Sequence, residues 1–282
     1  MATITYLGTG LLGSGFVEAA LGRGDRVTVW NRTRAKAEPL APLGATIADT
    51  PGQAVAGAER VHVVLKDDAT VNEVLAQCTA ALAPGAVIVD HTTTQPALTA
   101  ERAARLAAAG VAYLHAPVFI GPAMARKAMG TIMVAGPKAH YDRVAEALAA
   151  QAQKVDYLGE RADLAAVIKL CGNALLIGVA GTLADMYAIG TEAGVAPAQV
   201  KALFEYFNFN VVVGGRGGAM AEGKFTPPSF ELAMSRKDVR LMLETAGARP
   251  MAVLPGVAAR MDALIAAGHG GDDMAVIAKD SI

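Results

Sequence analysis

The sequence predicts an α/β domain with a largely parallel sheet, followed by an all-α domain. Three observations carry this. Short β-branched runs alternate with helical stretches up to about residue 160, a glycine-rich turn follows the first run, and the strand signal then stops in favour of helix. The expected division is 1–162 for the first domain and 163–282 for the second.

The expected strands are Ile4–Leu7, Arg26–Trp30, Val61–Leu65, Ala86–Asp90, Val111–Leu114, Thr131–Ala135 and Lys154–Tyr157. Strands spaced by helices imply βαβ units. Leu98–Ala109 and Tyr141–Ala152 are Ala-rich helices with Pro96 and Pro137 near their starts, where a missing N–H does no harm. From Ala162 to Ala193 runs a proline-free helical pattern, apolar at Leu164, Ile168, Cys171, Leu175, Val179, Leu183, Met186 and Ile189. Gly194 ends it and Pro197 opens the next helix. So apolar a helix is expected to be the buried central beam of the second domain, and to be covered between subunits. Further helices are expected over Pro197–Phe207, Phe230–Ala246 and Met251–Ala266, and Gly214–Gly218 is read as a flexible loop.

The chain has 282 residues, with 25 Lys plus Arg against 26 Asp plus Glu, a net charge of −1. That balance excludes a polybasic nucleic-acid binder or an electrostatic membrane clamp. Hydrophobic residues make up 53% and charged ones 18%, far from a disordered composition. The best uncharged stretch, Ala174 to Ala184, holds two glycines and a threonine and is shorter than the ~18 residues a span needs. No transmembrane helix is expected. Met1–Leu7 reads as a strand rather than a signal peptide, and Cys78 and Cys171 stand alone, so a cytoplasmic protein is expected. No H-E-x-x-H or Cys/His cluster points to a metal.

Gly8-Thr9-Gly10-Leu11-Leu12-Gly13 fits G-x-G-x-x-G, with a strand before it, an Ala-rich helix after it and a second strand ending at Trp30. In a dinucleotide site Gly8 permits the tight turn, Gly10 lets a pyrophosphate reach backbone N–H groups, and Gly13 lets helix and strand pack closely. The second strand is followed by Asn31-Arg32-Thr33 instead of a carboxylate. The repulsion of a 2′-phosphate is removed and a forked cation is supplied, so NADP(H) is the expected cofactor. Arg34 and Lys36 add to the field or are solvated surface.

These motifs, with Asp90-His91-Thr92-Thr93-Thr94-Gln95-Pro96, His115-Ala116-Pro117-Val118, Lys169-Leu170-Cys171-Gly172-Asn173 and Lys237-Asp238, stand in the order found in β-hydroxyacid dehydrogenases. The chain resembles that family, which includes 3-hydroxyisobutyrate dehydrogenases and tartronate semialdehyde reductases, over nearly its whole length. The resemblance implies an N-terminal Rossmann domain, a long interdomain helix, an all-α C-terminal domain, and a homodimer or homotetramer. It makes Lys169 the general acid/base and Asn173 its helper. It places Thr93 by nicotinamide and substrate, Leu65-Lys66 near the cofactor, and Lys237 against the cofactor and substrate. The residue chemistry supports this independently. Reducing a carbonyl leaves negative charge on oxygen, which a positioned lysine can both stabilise and protonate. Asn173, four residues on, shares its helix face. Lys237 lies in the charged patch Ser235–Asp238, equally readable as a solvated helix face. His91 and His115 read as loop or strand-end histidines rather than a proton shuttle.

The chain departs from the family after Ala116-Pro117-Val118, where Ser-Gly-Gly is replaced by Phe119-Ile120-Gly121, the expected substrate-binding stretch. A hydroxyl that would hold a substrate carboxylate is gone, which favours uncharged substrates, unless Arg216 or Lys237 replaces it as a partner. His115 also stands in place of an aspartate, and Arg161-Ala162-Asp163-Leu164 in place of a glycine-rich turn. The leading reading is an NADPH-dependent carbonyl reductase or alcohol dehydrogenase acting on a small molecule. The rivals are an imine reductase, which usually carries another residue at Lys169, and a non-catalytic NADPH-binding protein, which would be marked by loss of that lysine.

Overall fold

The computed structural model describes residues 2–282, in two compact units that meet in sequence between Asn173 and Ala174. The first runs β1 (Thr3–Leu7), α1 (Leu11–Gly22), β2 (Arg26–Trp30), β3 (Thr46–Ile47), α2 (Pro51–Val55), β4 (Arg60–Val63), α3 (Asp68–Cys78), β5 (Val87–Asp90), α4 (Pro96–Ala108), β6 (Ala112–His115), β7 (Val118–Phe119), α5 (Pro122–Ala125), β8 (Thr131–Ala135), α6 (Lys138–Asp142), α7 (Ala145–Ala149) and β9 (Lys154–Gly159). Among the described residues these form a nine-stranded sheet ordered β3-β2-β1-β4-β5-β6-β8-β7, with β9 beside β8. Pairing is parallel from β3 to β6, and β8 runs antiparallel to β6 and β7. This is the Rossmann-type arrangement, with the order reversing at β1 and β4.

Alternation along the strands sorts the core onto two faces. Ile4, Tyr6, Val87, Val89 and Leu114 pack with Phe16 and Val17 of α1, whereas Leu7, Ile88 and Tyr113 pack with Val55 of α2 and Val71 and Leu75 of α3. The strands β3 and β7 escape a sequence reading because two residues show no period. The single helix expected over Tyr141–Ala152 is two short ones, α6 and α7, broken where Val144 leaves helical geometry at φ −121°.

The helix α8 (Leu164–Glu192) begins in the first unit, where Leu164 and Ala165 pack on Met133 and Ala135 of β8. The division therefore falls inside the helix rather than at its start. In the second unit α8 is followed by α9 (Pro197–Lys201), α10 (Phe209–Glu222), α11 (Leu232–Ala246) and α12 (Leu254–Leu264). Leu232, Val239, Met261, Leu264 and Val276 form its core. Asp185 of α8, 1% exposed, accepts the backbone N–H groups of Ala252, Val253 and Leu254. Burial opposes ionisation there, but the three N–H groups outweigh it and hold the carboxyl below its usual range.

Three expectations are corrected. The expected loop Gly214–Gly218 is helical, inside α10, because Asn208 caps its start, Gly223 closes its end at φ +64°, and Arg216 is fastened to Asp273 at 2.9 Å. The middle of α8 is not buried within the chain: Leu175, Leu176 and Ile177 are 57%, 65% and 70% exposed. Finally, α8 is 29 residues long and holds an 18-residue stretch of mean hydropathy 1.9, enough by length and composition to cross a membrane. Counting only Ala174–Ala184 underestimated it, although Asp185 is engaged in ordinary interior packing.

Candidate active site

The turn from β1 to α1 is built so that only glycine fits. Gly8 has φ +107°, and a Cβ on it would lie 2.1 Å from the Val64 carbonyl oxygen; a Cβ on Gly13 would lie 2.1 Å from the Gly8 oxygen. Gly10, the N-cap of α1, has nothing among the described residues within 4 Å of its virtual Cβ, and the first turn of α1 carries no acidic residue. A helix N-terminus exposed in this way suits a phosphate. The Thr9 N–H donates to Asn31 Oδ1 (3.0 Å), while Asn31 Nδ2 donates to the Thr33 carbonyl (2.9 Å). Asn31 thus clamps the glycine loop onto the end of β2, a role its side chain could fill only in three dimensions.

The expected cofactor residues Gly8, Gly10, Leu11, Leu12, Gly13, Asn31, Arg32, Thr33, Leu65, Lys66 and Thr93 line one cavity of about 500 Å³. Trp30 and Lys36 line it too, as do Val64, Thr70, His91 and Thr92. The glycine turn, the cation at Arg32 and a continuous wall from β2 to the loop after β5 fit a nicotinamide dinucleotide. Arg32 is not free here, since its guanidinium pairs with Glu73 of α3. Lys36 has no ion-pair partner among the described residues.

Two buried polar networks hold the loop that carries Thr93. In the first, Arg60 Nε donates to His62 Nε2 (2.9 Å), His62 Nδ1 meets His91 Nε2 (2.8 Å), and His91 Nδ1 meets the Ala116 carbonyl (2.7 Å). A carbonyl only accepts and Arg60 only donates, so both rings are neutral with their protons on Nδ1. Burial, then the neighbouring His91 and Arg60, drives the His62 pKa well below its ordinary value, and burial lowers His91 to about 4. No ring nitrogen of His91 is left for proton transfer into the cavity. In the second network, Thr92 N–H and Tyr113 O–H donate to Asp90, while Arg102, fully buried, pairs with Asp68, whose other oxygen accepts Gln95 N–H. His115 donates from Nε2 toward the Thr92 carbonyl (3.0 Å), and Thr92 Oγ1 accepts Leu65 N–H (3.1 Å), tying the two loops of the cavity together. Thr93 is left exposed at the rim.

The histidine pair makes a prediction about stability. Histidines held neutral when folded take up protons on unfolding below their ordinary pKa of about 6.5, so the unfolded chain binds more protons. Stability should be complete above about pH 6.5 and fall continuously as pH drops toward about 4. Urea unfolding midpoints across pH 4–8 measure this, and a His62→Leu variant should be less stable at pH 8 by roughly 2 kcal/mol, because Arg60 and His91 lose a partner. A flat wild-type profile contradicts the neutral pair.

Lys169 lies on α8 within the first unit, 9% exposed, without an ion pair among the described residues, and burial alone lowers its pKa. Its ammonium is 4.1 Å from the centroid of the Phe119 ring. Asn173 is half-buried one turn on, and Ile120 and Gly121 follow Phe119 into α5. These residues are outside the lining of the glycine-turn cavity. Lys237 is on α11 in the second unit and pairs with Asp238 at 2.9 Å. Arg216 is held by Asp273 and so is not a ready partner for a substrate carboxylate. The sequence reading missed Thr70, Thr92 and the Asn31 clamp. Its one available signal was Asp67-x-x-Thr70, a helix-capping pattern at the cavity wall in which the Thr70 N–H donates to Asp67 (2.9 Å).

The family model for the NAD binding domain of 6-phosphogluconate dehydrogenase matches residues 3–159. An uncharacterized oxidoreductase of Bacillus subtilis, YfjR, is 30% identical over 246 residues, covering 86% of both chains. The 2-hydroxy-3-oxopropionate reductase of Escherichia coli is 28% identical, covering 75% of this chain and 73% of its own. Among solved structures, an imine reductase from Aspergillus terreus in complex with NADPH4 and dibenz[c,e]azepine has a TM-score of 0.84 at 26% identity, covering 100% of this chain and 99% of the other. With the glycine turn, the cavity it opens and these likenesses in agreement, the chain belongs to the family of NAD(P)-dependent oxidoreductases that carry the 6-phosphogluconate dehydrogenase type of NAD-binding domain.

Proposed function

We propose that this oxidoreductase uses NADPH to reduce a small, uncharged carbonyl compound to its alcohol, with Lys169 as general acid/base. The observation that carries the reading is Lys169 itself, an almost buried amine without an ion pair among the described residues. An amine so placed gives up its proton more readily than one in water. NADPH, when bound, supplies the hydride. Lys169 protonates the oxygen on which charge develops, and Asn173, on the same helix face, holds that oxygen or the amine. Arg32, with Thr33 beside it, is the proposed partner of the 2′-phosphate, Lys36 adds to the positive field, and Thr93 and Lys237 are proposed contacts of cofactor and substrate.

Phe119 and Ile120 in place of a hydroxyl and a glycine support an uncharged substrate, because an unpaired carboxylate in apolar surroundings costs several kcal/mol. The expected result is a catalytic efficiency for an uncharged aldehyde or ketone equal to or above that for the matching semialdehyde acid, and 3-hydroxyisobutyrate should be a poor substrate. A panel of aldehydes, ketones, hydroxy acids and cyclic imines assayed with NADPH and NADH measures this. A ratio strongly favouring the acid, unchanged in Phe119→Ser, refutes the reading. Imine reduction is the second reading, favoured by the likeness to the Aspergillus imine reductase and by the same apolar residues. Turnover on cyclic imines alone would select it, whereas no turnover on any of these compounds would favour a non-catalytic NADPH binder.

The chain is further proposed to act as a homodimer or homotetramer in the cytoplasm. Leu175, Leu176 and Ile177 lie about 100° apart around α8, so one face cannot account for their exposure. Phe209 and Val211 of α10 are exposed as well. So much bare apolar surface calls for a second copy. Light scattering should give at least twice the chain mass, and Ile177→Glu should lower it. A monomeric wild type contradicts the proposal.

A further inference from the structure

Phe119 does more than replace a hydroxyl. Its ring lies against α8, and a Cβ on Gly172 would come within 2.1 Å of Phe119 Cζ and 2.8 Å of Cε1. Gly172 and Lys169 are three residues apart, hence on one helix face. The bare backbone at Gly172 gives the ring a seat, and from that seat its face meets the Lys169 ammonium at 4.1 Å. The other side of the ring's position is fixed by the sheet. Phe119 pairs with Thr131 across β7 and β8, its backbone oxygen closely approaches Gly130, which has φ +89°, and its side chain packs with Met133, Ala135 and Ala165.

We infer that Phe119 is a positioning residue that sets the proton affinity of Lys169, its ring face holding the ammonium on a seat opened by Gly172. An aromatic face attracts a cation and leaves a neutral amine almost indifferent, so it favours the protonated form. Burial acts the other way and lowers the pKa. Of the charged side chains in the adjoining segments, Arg161 pairs with Asp163 ahead of α8, Lys154 with Asp156 on β9 and Arg126 with Glu18, while Glu160 and Lys127 are exposed and have no ion pair among the described residues. Cys171, on the same helix, is exposed with a free thiol. Burial is what lowers the Lys169 pKa, and among the described residues the Phe119 ring is the neighbour that can offset it. A dry pocket alone would deprotonate the amine too early to serve as an acid. The ring keeps it charged without a carboxylate, which would bind it too firmly to let the proton go.

The inference rests on the reading of Lys169 as the acid/base, and its test separates the two. The amine pKa is read without turnover, by acetylating the intact protein at a series of pH values and following the Lys169 peptide by mass spectrometry. Phe119→Leu keeps the site apolar and removes the ring face, so the Lys169 pKa should fall by roughly half a unit to one unit. In the reduction direction the basic limb of the pH–rate profile, where the Lys169 proton is lost, should move down by the same amount. Phe119→Tyr, which keeps the ring, should restore both. Tetrafluorophenylalanine at position 119, with the ring's shape but a weakened face, should behave like Phe119→Leu, and serves if leucine disturbs folding. An unchanged or raised pKa in the leucine and fluorinated variants overturns the inference. If the pKa falls as expected but Lys169→Ala keeps near-native turnover, the ring-face seat stands and the acid/base assignment is what fails.

Discussion

Replacing Lys169 by alanine should lower turnover by about 100-fold or more, the usual contribution of a positioned general acid, while cofactor affinity barely changes. The separation is expected because the cavity that fits the dinucleotide is lined by the glycine turn and the ends of the strands, and Lys169 is not part of that lining. Lys169→Arg is the sharper test. Guanidinium keeps the positive charge but does not release a proton at any working pH, so it should be nearly as inactive as alanine if the proton matters. If arginine restores most of the rate, the role of Lys169 is electrostatic only. Stability should suffer little in Lys169→Ala, since the amine has no ion pair among the described residues and its burial offsets the ring-face contact with Phe119 that is lost. Near-native turnover in Lys169→Ala sinks the assignment.

Arg32→Ala should weaken NADPH binding by about 10- to 100-fold and leave NADH binding almost unchanged, as expected for one charge-assisted bond to a phosphate. In the structure Arg32 pairs with Glu73, and both side chains are more than half exposed. Exposed pairs of this kind are worth little, so the guanidinium can exchange the carboxylate for a 2′-phosphate at small cost. Glu73→Gln should therefore tighten NADPH a few-fold. The readout is built in, because Trp30 is the chain's single tryptophan and lines the cavity. Titrating its fluorescence with both cofactors gives the affinities directly. NADH binding as tight as NADPH in the wild type, or an Arg32→Ala variant without loss, would refute the proposed preference.

Local pattern carried much of this far. The strands that alternate or run apolar, the glycine turn and its flanking elements, and the long helix each announce themselves over a few consecutive residues. Accordingly β1, β2, α1 and α8 fall close to where the sequence places them. The failures have a common cause. Glycines at 214–218 read as a loop because local propensity is weak there, yet capping by Asn208 and the Arg216–Asp273 pair, 57 residues apart in sequence, make the segment helical. The apolar α8 reads as buried because periodicity reports an apolar surface and not whether the fold of the chain covers it.

Residue type at a given spacing is enough to place the glycines that a dinucleotide turn demands and the lysine in an apolar helix, whereas the missing carboxylate-binding hydroxyl is legible only through the resemblance to β-hydroxyacid dehydrogenases. Folding is what brings Asn31 to clamp the glycine loop, Glu73 to hold Arg32, His62 and His91 into a neutral hydrogen-bonded pair, and the Phe119 ring to the Lys169 ammonium over Gly172. Those contacts join residues from about 20 to more than 50 positions apart, across strands whose register no local pattern records. Hydrogen bonds and ring faces act over a few ångströms, and the chain must be folded before such partners are that close.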